Sequence, residues 1–282
     1  MGTASPGAIV LFGSGETAAV GREAMRWLDA TGHAPASIVV LETPAGFEPN
    51  AEAVAARWAD FIQRQPEARG ADLSQLPLRR RGTALSPDDE GLARPLLGAD
   101  LIVLGAGSPT YTVRQLRGNV AWEQALAAHL LGASFFLASA AAIGVGACAL
   151  PVYEIYKVGE DPHWKDGLGL IDLYGLHLAV VTHWDNQDGG GALDTTRCYM
   201  GRERFDALLE LLPPGVVVLG IDEHTALAID PARGTADVLG RGGVTVLGDG
   251  AAVAHRSGTT VALEDLGPFA LPDASRLVPL QT

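Results

Sequence analysis

The chain has 282 residues, 48% of them hydrophobic, and a formal charge of −13 at pH 7. That apolar content is ample for a packed core, while the acidic balance excludes a nucleic-acid backbone as partner, since that needs a basic face. Two cysteines, Cys148 and Cys198, imply no disulfide framework, and no apolar run reaches the ~18 residues of a membrane span.

The N-terminal stretch Met1-Gly2-Thr3-Ala4-Ser5-Pro6 lacks the basic region and apolar core of a secretory signal, and Pro6 breaks the myristoylation pattern. The expected compartment is the cytoplasm. Ala8-Ile9-Val10-Leu11-Phe12 reads as a buried strand ending in the tight turn Gly13-Ser14-Gly15-Glu16-Thr17, and a helix is expected over residues 21–31. The run 38–41 is the next strand, closed by Glu42-Thr43-Pro44. Asn50 then stands as the cap of an amphipathic helix with Val54, Trp58, Phe61 and Ile62 on one stripe. A weak strand is expected near 76–79, next to the one basic run, Arg79-Arg80-Arg81. A helix is expected from Ser86-Pro87-Asp88-Asp89. Leu101-Ile102-Val103-Leu104 is a strong strand followed by Gly105-Ala106-Gly107-Ser108-Pro109, and a helix is expected over 122–131.

Phe135-Phe136-Leu137 reads as a buried strand that meets Ser139 at the head of an alanine-rich run of good helix propensity. A strand passing straight into a helix at a lone serine is the outline of a nucleophile elbow, which lifts a hydroxyl over a helix N-terminus. The same outline also suits a serine that merely caps the helix. On this reading Cys148 is a buried structural cysteine inside the helix. Leu178-Ala179-Val180-Val181 is a further strand running into Thr182-His183-Trp184-Asp185. A polar, glycine-rich insertion over 185–196 follows, then Cys198, whose basic neighbour Arg197 is expected to lower its pKa. A helix over 201–212 and a strand over 216–219 lead to Gly220-Ile221-Asp222-Glu223. Short runs at 225–229, 236–239, 243–247, 251–254 and 259–263 then form an antiparallel meander. Continuous apolar strands alternating with helices imply a doubly wound α/β fold with a mostly parallel sheet. With no linker or internal repeat, residues 1–282 form one domain, and about 225–265 are a β-rich appendage on the sheet edge.

Sites in open parallel sheets form at the carboxyl ends of strands. The residues just beyond the strands include Ser14, Glu42, Ser108, Ser139, His183, Trp184, Asp185, Asp222, Glu223 and His224. A serine, a histidine and a carboxylate thus each end a different strand, the three groups that nucleophilic acyl transfer needs. The glycine turn at 105–107 can bring a backbone N–H to the same point.

These segments together carry a resemblance. Gly-Ala-Gly-Ser-Pro-Thr after a strand, Ala-Ser-Ala at a strand-to-helix turn, Thr-His after the next strand and Gly220-Ile221-Asp222-Glu223-His224-Thr225-Ala226 resemble the S51 serine peptidases. That family comprises the aspartyl dipeptidase (dipeptidase E) and cyanophycinase group. The resemblance implies a class I glutamine amidotransferase-like, flavodoxin-like fold. It implies Ser139 as nucleophile, His183 as base, Glu223 as triad acid, and Gly107 and Ala140 as oxyanion N–H donors. The substrate is then a small molecule or short peptide, with no cofactor and no metal, and a homodimer is an admissible assembly. The chain departs from the family at the elbow, where Leu137 and Ala141 replace glycines. Val181-Thr182 replaces Asp-Gln before the histidine. Asp185-Asn186-Gln187-Asp188-Gly189 replaces the closely spaced arginines of cyanophycinases, so cyanophycin is not the expected substrate.

Substrate recognition is expected from two polar stretches. The first, 153–164, carries Tyr153, Glu154, Lys157 and His163. The second is the insertion, with Asp185, Asp188, Asp194, Arg197 and Arg202; Ser108 and Trp184 stand beside them. Three other readings suit the same residues. The fold can persist with catalysis lost and a metabolite bound. Gly13-Ser14-Gly15-Glu16-Thr17-Ala18 with Glu42 fits a dinucleotide site of an NAD(P) oxidoreductase. His163, His183, Asp185 and His224 can be imagined around a metal, although no short ligand spacing supports it.

Overall fold

The computed structural model describes residues 5–248 and 250–272; residues 1–4, where the N-terminal stretch begins, lie outside them. In chain order the elements are β1 (Ile9–Phe12), α1 (Ala19–Ala30), β2 (Ser37–Leu41), α2 (Ala51–Gln63), β3 (Asp72–Leu76), α3 (Glu90–Ala93) and β4 (Leu101–Leu104). Next come α4 (Pro109–Leu116), α5 (Val120–Leu130), β5 (Ser134–Ala138), α6 (Ala140–Gly144), β6 (Cys148–Ala149), β7 (Lys165–Asp166) and β8 (Leu178–Val181). The chain continues through α7 (Gly201–Glu210), β9 (Val217–Ile221), β10 (Thr225–Asp230), β11 (Thr235–Gly240), β12 (Gly243–Leu247), β13 (Val253–Arg256) and β14 (Thr260–Ala262).

The α/β architecture with parallel strands at its centre is as expected, but the strands are shared between two sheets. The first has the order β14-β11-β10-β1-β5-β4-β2-β3, parallel from β1 to β3. The second has the order β13-β12-β9-β8-β6-β7, with β6, β8 and β9 parallel. The C-terminal meander is antiparallel as read, and it extends both sheets rather than one edge: β10, β11 and β14 join the first, β12 and β13 the second. Apolar runs mark a strand as buried but do not encode which neighbour it pairs with, so the partition was not visible in the pattern.

Period-two alternation builds the core. Val10, Phe12, Phe136 and Ala138 pack on one face beneath α1 and α2. Ile9, Leu11, Phe135 and Leu137 pack on the other, in a cluster that also holds Val180, Leu219 and Ile221 of the second sheet. The far face of that sheet, with Ala179 and Val181, is covered by Phe205 and Leu208 of α7.

Several local expectations are corrected. The helix after the elbow is only Ala140–Gly144, and Cys148 lies in β6. Alanine propensity is overridden because the chain must press against its neighbours: a Cβ on Gly146 would stand 2.4 Å from the Leu178 carbonyl oxygen, and one on Gly167 1.9 Å from that of Gly146. The helix expected from Ser86 begins at Glu90, with Asp89 accepting from the Leu92 N–H. Asn50 occupies the cap position of α2 without a side-chain cap bond. α4, capped by Ser108 with Pro109 at its first position, was not anticipated.

Candidate active site

Parallel register brings several strand ends level. Phe12 pairs with Ala138 on one side and Ala226 on the other, so Gly13 lies beside Ser139. Ser139 has φ 49° and ψ −107°, left-handed for a residue with a Cβ. Such a conformation costs on the order of 1–3 kcal/mol and persists only where its surroundings fix it. Here the Ser139 N–H donates to the Phe12 carbonyl at 3.1 Å, and its own carbonyl accepts from the Ile143 N–H at 3.0 Å, opening α6. Leu137 and Ala141 do not obstruct this turn. Both are fully buried in the cluster between the sheets, and neither lines the cavity that opens over Ser139.

The hydroxyl of Ser139 is 3.0 Å from Nε2 of His183, and Nδ1 of His183 is 2.9 Å from Oε1 of Glu223. The carboxylate can only accept, so Nδ1 carries the proton and Nε2 is free to accept from the serine. His183 also has positive φ, 50°. Its N–H donates to the Gly13 carbonyl at 3.3 Å, and its carbonyl accepts from the N–H of Cys198 at 3.1 Å and of Asn186 at 3.2 Å. Glu223 is fixed twice: its N–H donates to Asp185 Oδ1 at 2.7 Å, and its Oε1 accepts from Asn186 Nδ2 at 3.0 Å. Asn186 is 1% exposed, so the donor of this second bond is held in place by the packing around it.

The turn after β1 completes the assembly. A Cβ on Gly13 would lie 2.0 Å from the Asp222 carbonyl oxygen, and the His224 N–H donates to Ser14 Oγ at 3.0 Å. The glycines of the dinucleotide-like motif therefore admit the β9–β10 loop that carries Glu223. Glu42, the counterpart acid of that motif, is 4% exposed and bonded to Gln75 and Arg79. Both features have a use inside the chain, and the dinucleotide reading loses its two supports.

A cavity of about 470 Å³ opens over Ser139 and His183. Gly107 and Ala140 line it, and among the described residues neither of their N–H groups donates elsewhere. Gly107 has φ 155°, and a Cβ there would stand 1.9 Å from the Pro44 carbonyl oxygen, so the close approach demands glycine. Tyr153, Lys157 and Asp188, all among the residues expected to recognise substrate, line the cavity, joined by Tyr156 and Tyr199. The Tyr199 hydroxyl donates to Asp188 Oδ2 at 2.9 Å. Hydrogen bonding to Asn186 and Tyr199 holds the Asp188 carboxyl below its usual range, and burial pushes the Tyr199 phenol up. Burial pushes the Cys198 thiol up to about 12, the reverse of the lowering expected from Arg197. Cys198 is a protonated wall group.

The other sequence-predicted binding residues stand outside this cavity. Ser108 caps α4 through the Tyr111 N–H. Glu154 accepts from the Thr110 hydroxyl in a neighbouring cleft. His163 is bonded to the Asp161 carbonyl. Trp184 is buried, with the Arg197 guanidinium stacked 3.7 Å from its ring centroid. Asp185 supports Glu223 rather than facing the cavity. Tyr156 and Tyr199 were missed as lining residues. Tyr156 rides on a π-helical turn, Glu154–Val158, and Tyr199 ends three consecutive left-handed residues, Arg197, Cys198 and Tyr199. Their only signal was the aromatic density of 153–164 and the glycine-rich insertion. Among the described residues no group of three or more His, Cys, Asp or Glu is arranged to hold a metal, and no helix is long and apolar enough to cross a membrane.

No family model matches the chain, and no curated protein sequence does. Solved structures do. A peptidase from an acI-B1 Actinobacterium superposes with a TM-score of 0.72 at 20% identity, over 92% of this chain and 98% of the other. A protein provisionally assigned as a peptidase E, from Listeria monocytogenes EGD-e, gives a TM-score of 0.51 at 13% identity, over 89% and 99%. At these identities the likeness establishes the fold, nearly end to end.

Proposed function

We propose that the protein is a serine hydrolase cleaving an amide bond in a small peptide or amino-acid conjugate, with Ser139 as nucleophile, His183 as general base and Glu223 as the acid that orients it. The observation that carries this reading is the continuous relay, 3.0 Å from Ser139 Oγ to His183 Nε2 and 2.9 Å from His183 Nδ1 to Glu223 Oε1. The peptidase designations of the two structural neighbours support the same reaction class.

In this mechanism Ser139 attacks the carbonyl carbon as its proton passes to His183 Nε2, and Glu223 stabilises the imidazolium. The tetrahedral oxyanion is received by the Gly107 and Ala140 N–H groups, at the head of α6. His183 then hands its proton to the departing amine, and a water activated by the same imidazole hydrolyses the acyl-enzyme. The ground for a non-catalytic metabolite binder was the pair Leu137 and Ala141, and their burial leaves the serine's conformation in place.

A small fluorophosphonate tests the reading. Peptide mapping is expected to find one adduct, on Ser139, with labelling lost in Ser139→Ala and slowed at least 100-fold in His183→Ala. An intact protein free of adduct, or one labelled equally in Ser139→Ala, rejects it.

A further inference from the structure

Of the side chains expected to recognise substrate, the structure leaves Tyr153, Lys157 and Asp188 in the cavity. The charged groups Glu154, His163, Asp185 and Arg197 are all turned to other partners. What replaces them is an aromatic wall. Tyr156 and Tyr199 stand 5.4 Å apart between centroids at 38°, and Tyr199 lies 6.0 Å from the His183 ring, so the wall begins beside the relay. Val152 and Ile143 form apolar surface behind it.

The two charges that do face the cavity are engaged. Lys157 Nζ stands 4.7 Å over the Tyr156 ring, and the Asp188 carboxylate accepts from the Tyr199 hydroxyl. Among the described residues no arginine lines the cavity. A charged side chain brought here from water would give up hydration in a lining that carries one charge of each sign and no net charge, whereas an apolar one would gain burial against the tyrosines. Aromatic groups add offset or edge contacts with such a wall.

Resting on the serine hydrolase reading, we infer that the substrate group flanking the scissile bond is uncharged and apolar, aromatic or branched aliphatic, and is held against the wall of Tyr156 and Tyr199 with Tyr153 beside it. The cavity selects against acidic and basic groups at that position.

Two dipeptide series, X-Ala and Ala-X with X = Phe, Leu, Asp, Lys or Ala, test this by chromatographic product release. In at least one series kcat/KM for Phe or Leu is expected to exceed that for Asp and Lys tenfold or more. Tyr156→Ala, and independently Tyr153→Ala at a half-exposed position, are expected to narrow the Phe-over-Ala ratio several-fold. Preference for Asp or Lys, or no discrimination among the five, overturns the inference and leaves the hydrolase reading intact. A binding arm separates the two in the other direction. Ser139→Ala keeps the wall, and calorimetric titration with Phe-Ala, Leu-Ala and Asp-Ala and their reversed sequences is expected to show the apolar peptides at least tenfold tighter. That result sustains the inference even where turnover is absent, and equal or absent binding of all of them overturns it.

Discussion

Leu137 occupies a position where the S51 pattern has glycine, yet its side chain is fully buried beside Ile9, Leu11 and Phe135. It belongs to the core, not to the elbow. Leu137→Gly removes a large buried side chain and loosens the strand, so unfolding in urea is expected to show a loss of about 3–5 kcal/mol, with no gain in Ser139 labelling. Asn186 is the opposite case, a buried polar side chain whose amide donates to the oxygen of Glu223 that also receives His183. A hydrogen bond to a charged group contributes roughly 1.5–3 kcal/mol. Asn186→Leu is therefore expected to lower kcat/KM by about 10–100-fold, mostly in kcat, and Asn186→Gln to recover part of it; unchanged kcat rejects the assignment. Ser139, His183 and Glu223 could be picked out in the sequence because each stands just beyond an apolar strand. The roles of Asn186 and Tyr199 could not, because they depend on where an irregular loop turns, which no periodicity records.

At the scale of elements, the insertion between β8 and α7 reads from its polarity as a recognition loop, yet much of it is support. Its start holds Glu223 through Asp185 and Asn186, and its end ties Arg197 and Cys198 to the carbonyls of Trp184 and His183. The β1 turn does similar work by admitting the β9–β10 loop at Gly13. Gly13→Ala places a methyl 2.0 Å from the Asp222 carbonyl oxygen, a backbone atom that can yield only by moving the loop. Fluorophosphonate labelling of Gly13→Ala is expected to slow at least tenfold while far-UV circular dichroism stays near wild type; wild-type labelling would show that the loop does not need this approach. The strands were legible in the sequence because a strand buried on both faces is a continuous apolar run. Alanine propensity alone makes the elbow helix longer than it is, and no pattern in the sequence marks the π-turn. Backbone crowding at Gly146 and Gly167 ends the one, and i→i+5 bonding, which has no compositional signature, makes the other.

At the scale of the whole molecule, a buried polar pair is set against the cluster between the sheets. His129 is 0% exposed; its Nδ1 lies 2.8 Å from the Ala133 carbonyl and its Nε2 2.5 Å from the Tyr174 hydroxyl. The carbonyl can only accept, so Nδ1 carries the proton, and in the neutral imidazole Nε2 accepts from the Tyr174 hydroxyl. Burial lowers the His129 pKa from 6.5 to about 4. The sign for stability follows from which state binds protons. Above pH 6.5 neither the folded nor the unfolded chain protonates this histidine, and its full contribution is present. As pH falls from 6.5 towards 4 the unfolded chain takes up a proton that the folded chain refuses, so the contribution declines. Below 4 both are protonated and it is gone, a span of about 3 kcal/mol. Urea unfolding at several pH values is expected to show this loss in the wild type. His129→Gln should be less stable than the wild type at pH 7 but flatter between pH 6.5 and 4. Equal slopes in the two proteins would place the acid sensitivity elsewhere, among the many carboxylates of a chain carrying −13 charges.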